Sequence, residues 1–75
     1  MDKKKLPEKK VDSVIELYSN GKVSEALDAI ELLFKEYPNE SLLFNIRGAC
    51  YAALGQLEEA VKNYENALAI KPDYS

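Results

Sequence analysis

The 75-residue chain has no histidine, a single cysteine and no long apolar run. Without histidine there is no imidazole to act as general base, complete a nucleophile–His pair or ligate zinc. Cys50 stands alone, so neither an internal disulfide nor a Cys-x-x-Cys metal clip can form. Set between Ala49 and Tyr51, it reads as a small buried hydrophobe rather than a nucleophile. No stretch approaches the roughly 18–20 apolar residues that span a bilayer, so no membrane partner is expected. The opening "MDKKKLPEKK" leads into the mixed "VDSVIELYS" rather than the apolar core of a signal peptide, and the cytoplasm is the expected compartment. An excess of positive charge is lacking too. Lys and Arg number 10 against 13 Asp and Glu, a net charge of −3, which argues against nucleic acid as a partner. Five lysines crowd into residues 3–10. They read as a solvated N-terminal tail, flexible over residues 1–6, rather than an anchor for phosphate or anionic lipid.

What is present is a foldable mixture, 47% apolar and 31% charged. A chain of this size makes one small domain and buries only about 60% of its unfolded surface. No segment alternates apolar and polar residues with period two, so no strand is expected.

The strongest signal is internal repetition. "NGKVSEAL" at Asn20–Leu27 and "LGQLEEAV" at Leu54–Val61 share a skeleton and lie 34 residues apart. The same offset aligns Gly21 with Gly55, Glu25 with Glu59, Ala26 with Ala60 and Pro38 with Pro72. Leu17 falls on Tyr51, Val23 on Leu57, Leu27 on Val61 and Phe34 on Leu68, without a gap. Each unit reads as two helices. The first begins near Pro7 or Glu8, carries Val11, Val14, Ile15 and Tyr18 at helical spacing, and ends at Gly21. Ser24 is the expected N-cap of the second, whose stripe is Ala26, Leu27, Ile30, Leu33, Phe34 and Tyr37 and which Pro38 stops. Ser41 is expected to cap a third helix with Leu43, Phe44, Ile46, Cys50, Tyr51 and Leu54, closed by Gly55. A fourth runs from Glu58 to about Ile70, with Glu58 and Lys62 spaced for an ion pair, and ends at Pro72. The turns are short, so each pair is antiparallel, and two helices alone cannot bury both stripes. The pairs must stack. The expected fold is all-α, a four-helix α–α superhelix or solenoid of two helix-turn-helix units, residues 7–40 and 41–75, in one continuous domain.

This pattern resembles the tetratricopeptide repeat family, whose unit is a 34-residue helix pair. Phe44, Gly48, Tyr51, Leu54, Gly55, Leu57, Ala60, Tyr64, Ala67 and Pro72 fill the motif's places in the second unit. Leu17, Gly21, Val23, Ala26 and Pro38 do so in the first. Two departures stand out. Val14 and Leu33 occupy the places that Gly48 and Ala67 hold in the second unit, which predicts a wider first pair. Arg47 stands where the motif favours an aliphatic residue, and is expected to bury its stem and send its charge to solvent. Ser75 aligns with Ser41 and would open a third unit. Solenoids generally use about three repeats and a polar cap, so the chain is expected to be the N-terminal part of a longer repeat protein. The alternative is a small complete protein that self-associates through its last helix, where Val61, Tyr64 and Leu68 would lie uncovered.

The remaining motifs carry no chemistry. "NGKVS" echoes a phosphate-binding loop, but the loop's earlier glycine is replaced by Glu16. Glu58 and Glu59 are neighbours about 100° apart on a helix and cannot share a substrate; they suit a helix start. Asn39-Glu40-Ser41 spells a glycosylation sequon but reads as a turn. Tyr18, Tyr51 and Tyr64 fall on helical stripes, which favours packing over base stacking. No enzyme activity, cofactor or metal is expected.

The resemblance implies a scaffold that binds proteins or peptides on a concave face lined by the first helix of each unit. Carried over place by place, that face is Glu8, Val11, Ile15, Tyr18 and Ser19 with Leu42, Asn45, Ala49, Ala52 and Ala53. It is mostly apolar, with Asn45 placed to bond a peptide backbone. Val11 and Ile15 stand where some members of the family clamp a terminal carboxylate, so an apolar or amphipathic segment is the expected ligand. Gly21, Ala26, Pro38, Gly48, Tyr51, Gly55, Ala60, Ala67 and Pro72 are assigned to packing within and between repeats. Two other readings remain open: the self-association module, and an N-terminal extension of a larger enzyme.

Overall fold

The structure, a computed structural model, describes residues 6–71. Lys3, Lys4 and Lys5 of the basic tail, and Pro72 and Ser75 at the other end, lie outside the described residues. Four helices follow in order: α1 Glu8–Ser19, α2 Val23–Glu36, α3 Ser41–Ala53 and α4 Leu57–Ile70. There is no strand among the described residues. The helices form two hairpins, α1–α2 and α3–α4, stacked through a contact between α2 and α3.

The two hairpin turns are built identically. Gly21 and Gly55 take φ of 82° and 83°, a left-handed conformation open to glycine without a Cβ penalty. Lys22 N–H donates to Leu17 C=O at 2.8 Å and Gly21 N–H to Tyr18 C=O at 3.1 Å. Gln56 N–H reaches Tyr51 C=O at 2.9 Å and Gly55 N–H reaches Ala52 C=O at 3.0 Å. This double closure satisfies carbonyls that a helix end otherwise leaves open. The same Lys22 and Gln56 then offer their own C=O groups to Ala26 and Ala60 at 2.9 and 3.1 Å, opening α2 and α4.

That economy corrects the expected caps. Lys22 is the N-cap of α2, with no side-chain cap bond, and Ser24 already lies inside the helix. Likewise Glu40 is the N-cap of α3, its C=O accepting from Leu43 and Phe44 at 3.1 and 3.3 Å, while Ser41 is the first helical residue and is buried. Within each hairpin the turn leaves no spare residue for a serine cap, while between the hairpins the helix simply starts one residue early, at Ser41. α2 and α4 also end alike, at Tyr37 (φ −132°, ψ 69°) and Lys71 (φ −134°, ψ 84°). Each precedes a proline in the sequence, and the ring of a proline disfavours helical geometry in the residue before it.

The core lies where α1, α2 and α3 meet: Val11, Val14, Ala26, Ile30, Leu33, Leu43 and Cys50. α4 joins α3 through the buried Ala60 and Ala67. A Cβ on Gly48 would fall 2.8–3.1 Å from three atoms of the Tyr64 ring, so the ring lies directly on the glycine. The α3–α4 contact is the most extensive in the fold and the α1–α2 contact is sparser. Val14 and Leu33, both buried, take the corresponding places in the first hairpin, and bulkier side chains set helix axes farther apart.

Arg47 departs from expectation. Its guanidinium is only partly open to water, the side chain being 21% exposed, and is held by neighbouring groups. Nε donates to Asn63 Oδ1 on α4 at 2.8 Å, and one terminal nitrogen donates to Glu31 Oε2 on α2 at 2.9 Å. The guanidinium lies 4.2 Å from the Phe34 ring centre and 5.5 Å from that of Phe44, and those rings meet edge to face at 4.8 Å. Asn63, itself buried, donates its amide to Glu59 C=O at 2.8 Å. One side chain therefore joins three helices across the boundary between hairpins. Glu58 and Lys62 form no ion pair; among the described residues the Arg47–Glu31 bridge is the salt bridge that the fold uses.

Candidate protein-binding face

Successive residues of a helix are about 100° apart, which divides α1 into three strips. Val11 and Val14 point into the core. Ile15 is turned about 40° from Val11, Glu8 about 60° and Asp12 about 100°. These residues meet α3 in a trough made of two adjoining pockets. The first, about 270 Å³, is lined by Leu6, Glu8, Val11, Asp12, Ile15 and Leu42. The second, about 240 Å³, is lined by Ile15, Tyr18, Asn45, Ile46 and Ala49. Ile15 lines both.

Seven of the residues expected on this face therefore line the trough: Glu8, Val11, Ile15, Tyr18, Leu42, Asn45 and Ala49. Val11 does so from the core side, at 6% exposure, and is floor rather than contact surface. Ile15, Leu42 and Tyr18 are 42%, 43% and 36% exposed and carry most of the open apolar area. Ser19, Ala52 and Ala53 line neither pocket. Leu6, Asp12 and Ile46 were not anticipated. Asp12 had a signal available, since it follows Glu8 by one helical turn on the same edge.

The charges of the trough are of one sign. Among the described residues, Glu8 and Asp12 are its only carboxylates and no Lys or Arg lines it. α3 carries a single charged residue, Arg47, and that guanidinium is engaged on the far side with Glu31 and Asn63. Lys10 lines a separate pocket between α1 and α2, with Ser13, Val14, Ala29, Leu32 and Leu33.

Among the described residues no group of three His, Cys, Asp or Glu is placed to hold a metal. Cys50 is fully buried, and desolvation pushes its thiol above the ordinary value of 9.0, disfavouring the thiolate. No helix among the described residues is long and apolar enough to cross a membrane.

A second apolar surface runs along α4. Leu57, Val61, Tyr64 and Leu68 recur at spacings of four, three and four and are all exposed. A pocket of about 370 Å³ opens there, lined by Leu57, Glu58, Val61 and Lys62.

Comparison with known proteins agrees with this architecture. A peroxisomal targeting signal receptor of Candida glabrata is 33% identical over 57 residues, 76% of this chain and 10% of the receptor. Its counterpart in Saccharomyces cerevisiae is 32% identical over 57 residues, 76% of this chain and 9% of the receptor. An inactive TPR repeat-containing thioredoxin of Arabidopsis thaliana is 37% identical over 59 residues, 79% of this chain and 8% of that protein. The chain thus spans about a tenth of the length of the curated relatives it matches. No solved structure matches it significantly. Residues 41–74, the second hairpin with its flanks, match the family model of the tetratricopeptide repeat. With the 34-residue period, the paired hairpin turns and these relatives, the chain belongs to the tetratricopeptide repeat family.

Proposed function

We propose that this chain is a protein-interaction module that seats an apolar or amphipathic segment of a partner protein in the trough between α1 and α3, working in the cytoplasm and without catalysis of its own. The trough itself carries the reading: two adjoining pockets that share Ile15, with exposed Leu42 and Tyr18 along them. Clefts that are mostly apolar with a few fixed polar groups are the usual form of a binding site. Family membership supports the scaffold role, and relatives named as receptors for a targeting signal fit it. Their similarity covers about a tenth of each receptor, so the ligand is argued from this trough alone. Apolar Val11 and Ile15 offer no cation to a terminal carboxylate, and acidic chain ends are not the expected ligand.

The test is selection of a random peptide library on the chain, followed by affinity measurement on an Ile15→Asp/Leu42→Asp variant. Both residues are half exposed, so the variant keeps its fold by circular dichroism while losing the selected peptides. Undiminished binding by the folded variant would move the site elsewhere.

The stripe on α4 favours a second reading, self-association through Leu57, Val61 and Leu68. Sedimentation equilibrium distinguishes it. A dimer that Val61→Lys dissociates supports this reading, and a monomer at high concentration removes it.

A further inference from the structure

The sign of charge along the trough narrows the partner. Its floor and α3 wall are uncharged: Ile15, Tyr18, Leu42, Asn45, Ile46 and Ala49. Its α1 edge is acidic, with Glu8 and Asp12 one turn, about 6 Å, apart along the helix axis. Among the described residues no cation lines the site, and neither carboxylate forms an ion pair. Arg47, the one cation on α3, is bound to Glu31 and Asn63, and Lys10 belongs to the pocket on the opposite side of α1. A ligand lying in this trough therefore has an apolar face against Ile15 and Leu42 and one edge beside two carboxylates that form no ion pair, with Lys9 the nearest described cation along α1.

Resting on the reading of the α1–α3 trough as the binding face, we infer that its partner is a cationic amphipathic segment, with Lys or Arg on the edge that runs along Glu8 and Asp12. Complementary charge at the rim sets which partners are accepted and how fast they arrive, while the apolar floor supplies most of the affinity. An acidic segment of equal hydrophobicity meets like charge at the same edge and is rejected.

The experiment is a random dodecapeptide library selected on the wild-type chain, with the winners measured against three proteins at about 0.05 M and about 0.3 M salt. The proteins are wild type, Glu8→Gln/Asp12→Asn and Ile15→Asp/Leu42→Asp, each checked for helicity. Winners should combine apolar residues with Lys or Arg. They should lose about three- to tenfold in affinity on Glu8→Gln/Asp12→Asn at low salt, and much less at high salt. Winners without cations, or winners that bind the charge variant as well as wild type, would overturn the cationic partner while leaving the trough in place, provided Ile15→Asp/Leu42→Asp abolishes them. Winners indifferent to Ile15→Asp/Leu42→Asp, or no winners at all, would overturn the trough reading itself.

Discussion

Arg47 offers the most demanding test of how the two hairpins are joined. Replacing it with alanine removes three contacts of different worth. Asn63 is 4% exposed and its amide is pinned to Glu59 C=O at 2.8 Å, so Oδ1 cannot turn away to find water. Losing a charged donor to such an oxygen costs about 1.5–3 kcal/mol. Glu31 is half exposed at its side chain, and an ion pair of that kind contributes only about 0.2–1 kcal/mol. Stacking on Phe34 at 4.2 Å adds about 0.5–1 kcal/mol. Arg47→Ala should therefore destabilise the chain by about 2–5 kcal/mol, a large share of the stability of so small a domain. Urea denaturation followed by circular dichroism measures it, in two double-mutant cycles, Arg47/Asn63 and Arg47/Glu31. The Asn63 coupling should exceed the Glu31 coupling and resist salt, whereas the Glu31 coupling should fade as salt rises. Equal couplings, or an Asn63 coupling below about 0.5 kcal/mol, would refute the idea that the buried amide is what Arg47 serves.

Three further expectations follow from the packing. Gly48→Leu should cost about 1–3 kcal/mol by driving into the Tyr64 ring, and Tyr64→Ala should relieve part of that cost in a thermal melt. Gly55→Ala should cost about 1–2 kcal/mol through its φ of 83° alone, because no atom lies within 4 Å of the added Cβ; Gly55→Asn should cost less. Cys50 gives a pH dependence of definite sign. Burial raises the folded thiol above 9.0, so the unfolded chain releases its proton first and stability falls as pH climbs past that value. Cys50→Ala should flatten that alkaline decline relative to wild type, and an unchanged slope would contradict the burial argument.

The sequence showed some of this plainly and hid the rest for physical reasons. Gly21 and Gly55 were legible because a left-handed residue at a helix end is a local demand on the chain, repeated at 34 residues. The helix count followed from the same period. Ser24 and Ser41 misled because serine is a frequent cap, yet Lys22 closes α1 and opens α2 through its backbone alone, and the Glu40 C=O opens α3 one residue before Ser41. The Arg47 network was invisible: Glu31 and Asn63 each lie 16 residues from Arg47, and no helical periodicity links positions across separate elements. Ser13 and Ala29 stand in the corresponding places of the first unit, so the repeat itself gave no precedent for it. The trough was partly legible. Val11, Ile15 and Tyr18 share one apolar stripe, and only the placement of α3 decides that Val11 is core while Ile15 is open. Asp12 was not anticipated, although it follows Glu8 by one helical turn, and it is the packing of α1 beside Leu42 that puts it on the trough.

The central claim is that the α1–α3 trough is where a partner lies. Chemical-shift mapping of the labelled chain, titrated with a peptide selected on it, tests that most directly. Shifts should concentrate at Glu8, Asp12, Ile15, Tyr18, Leu42, Asn45 and Ala49, and leave the outer face of α4 undisturbed. Shifts centred on Leu57, Val61 and Leu68 would contradict the account and put the partner on α4.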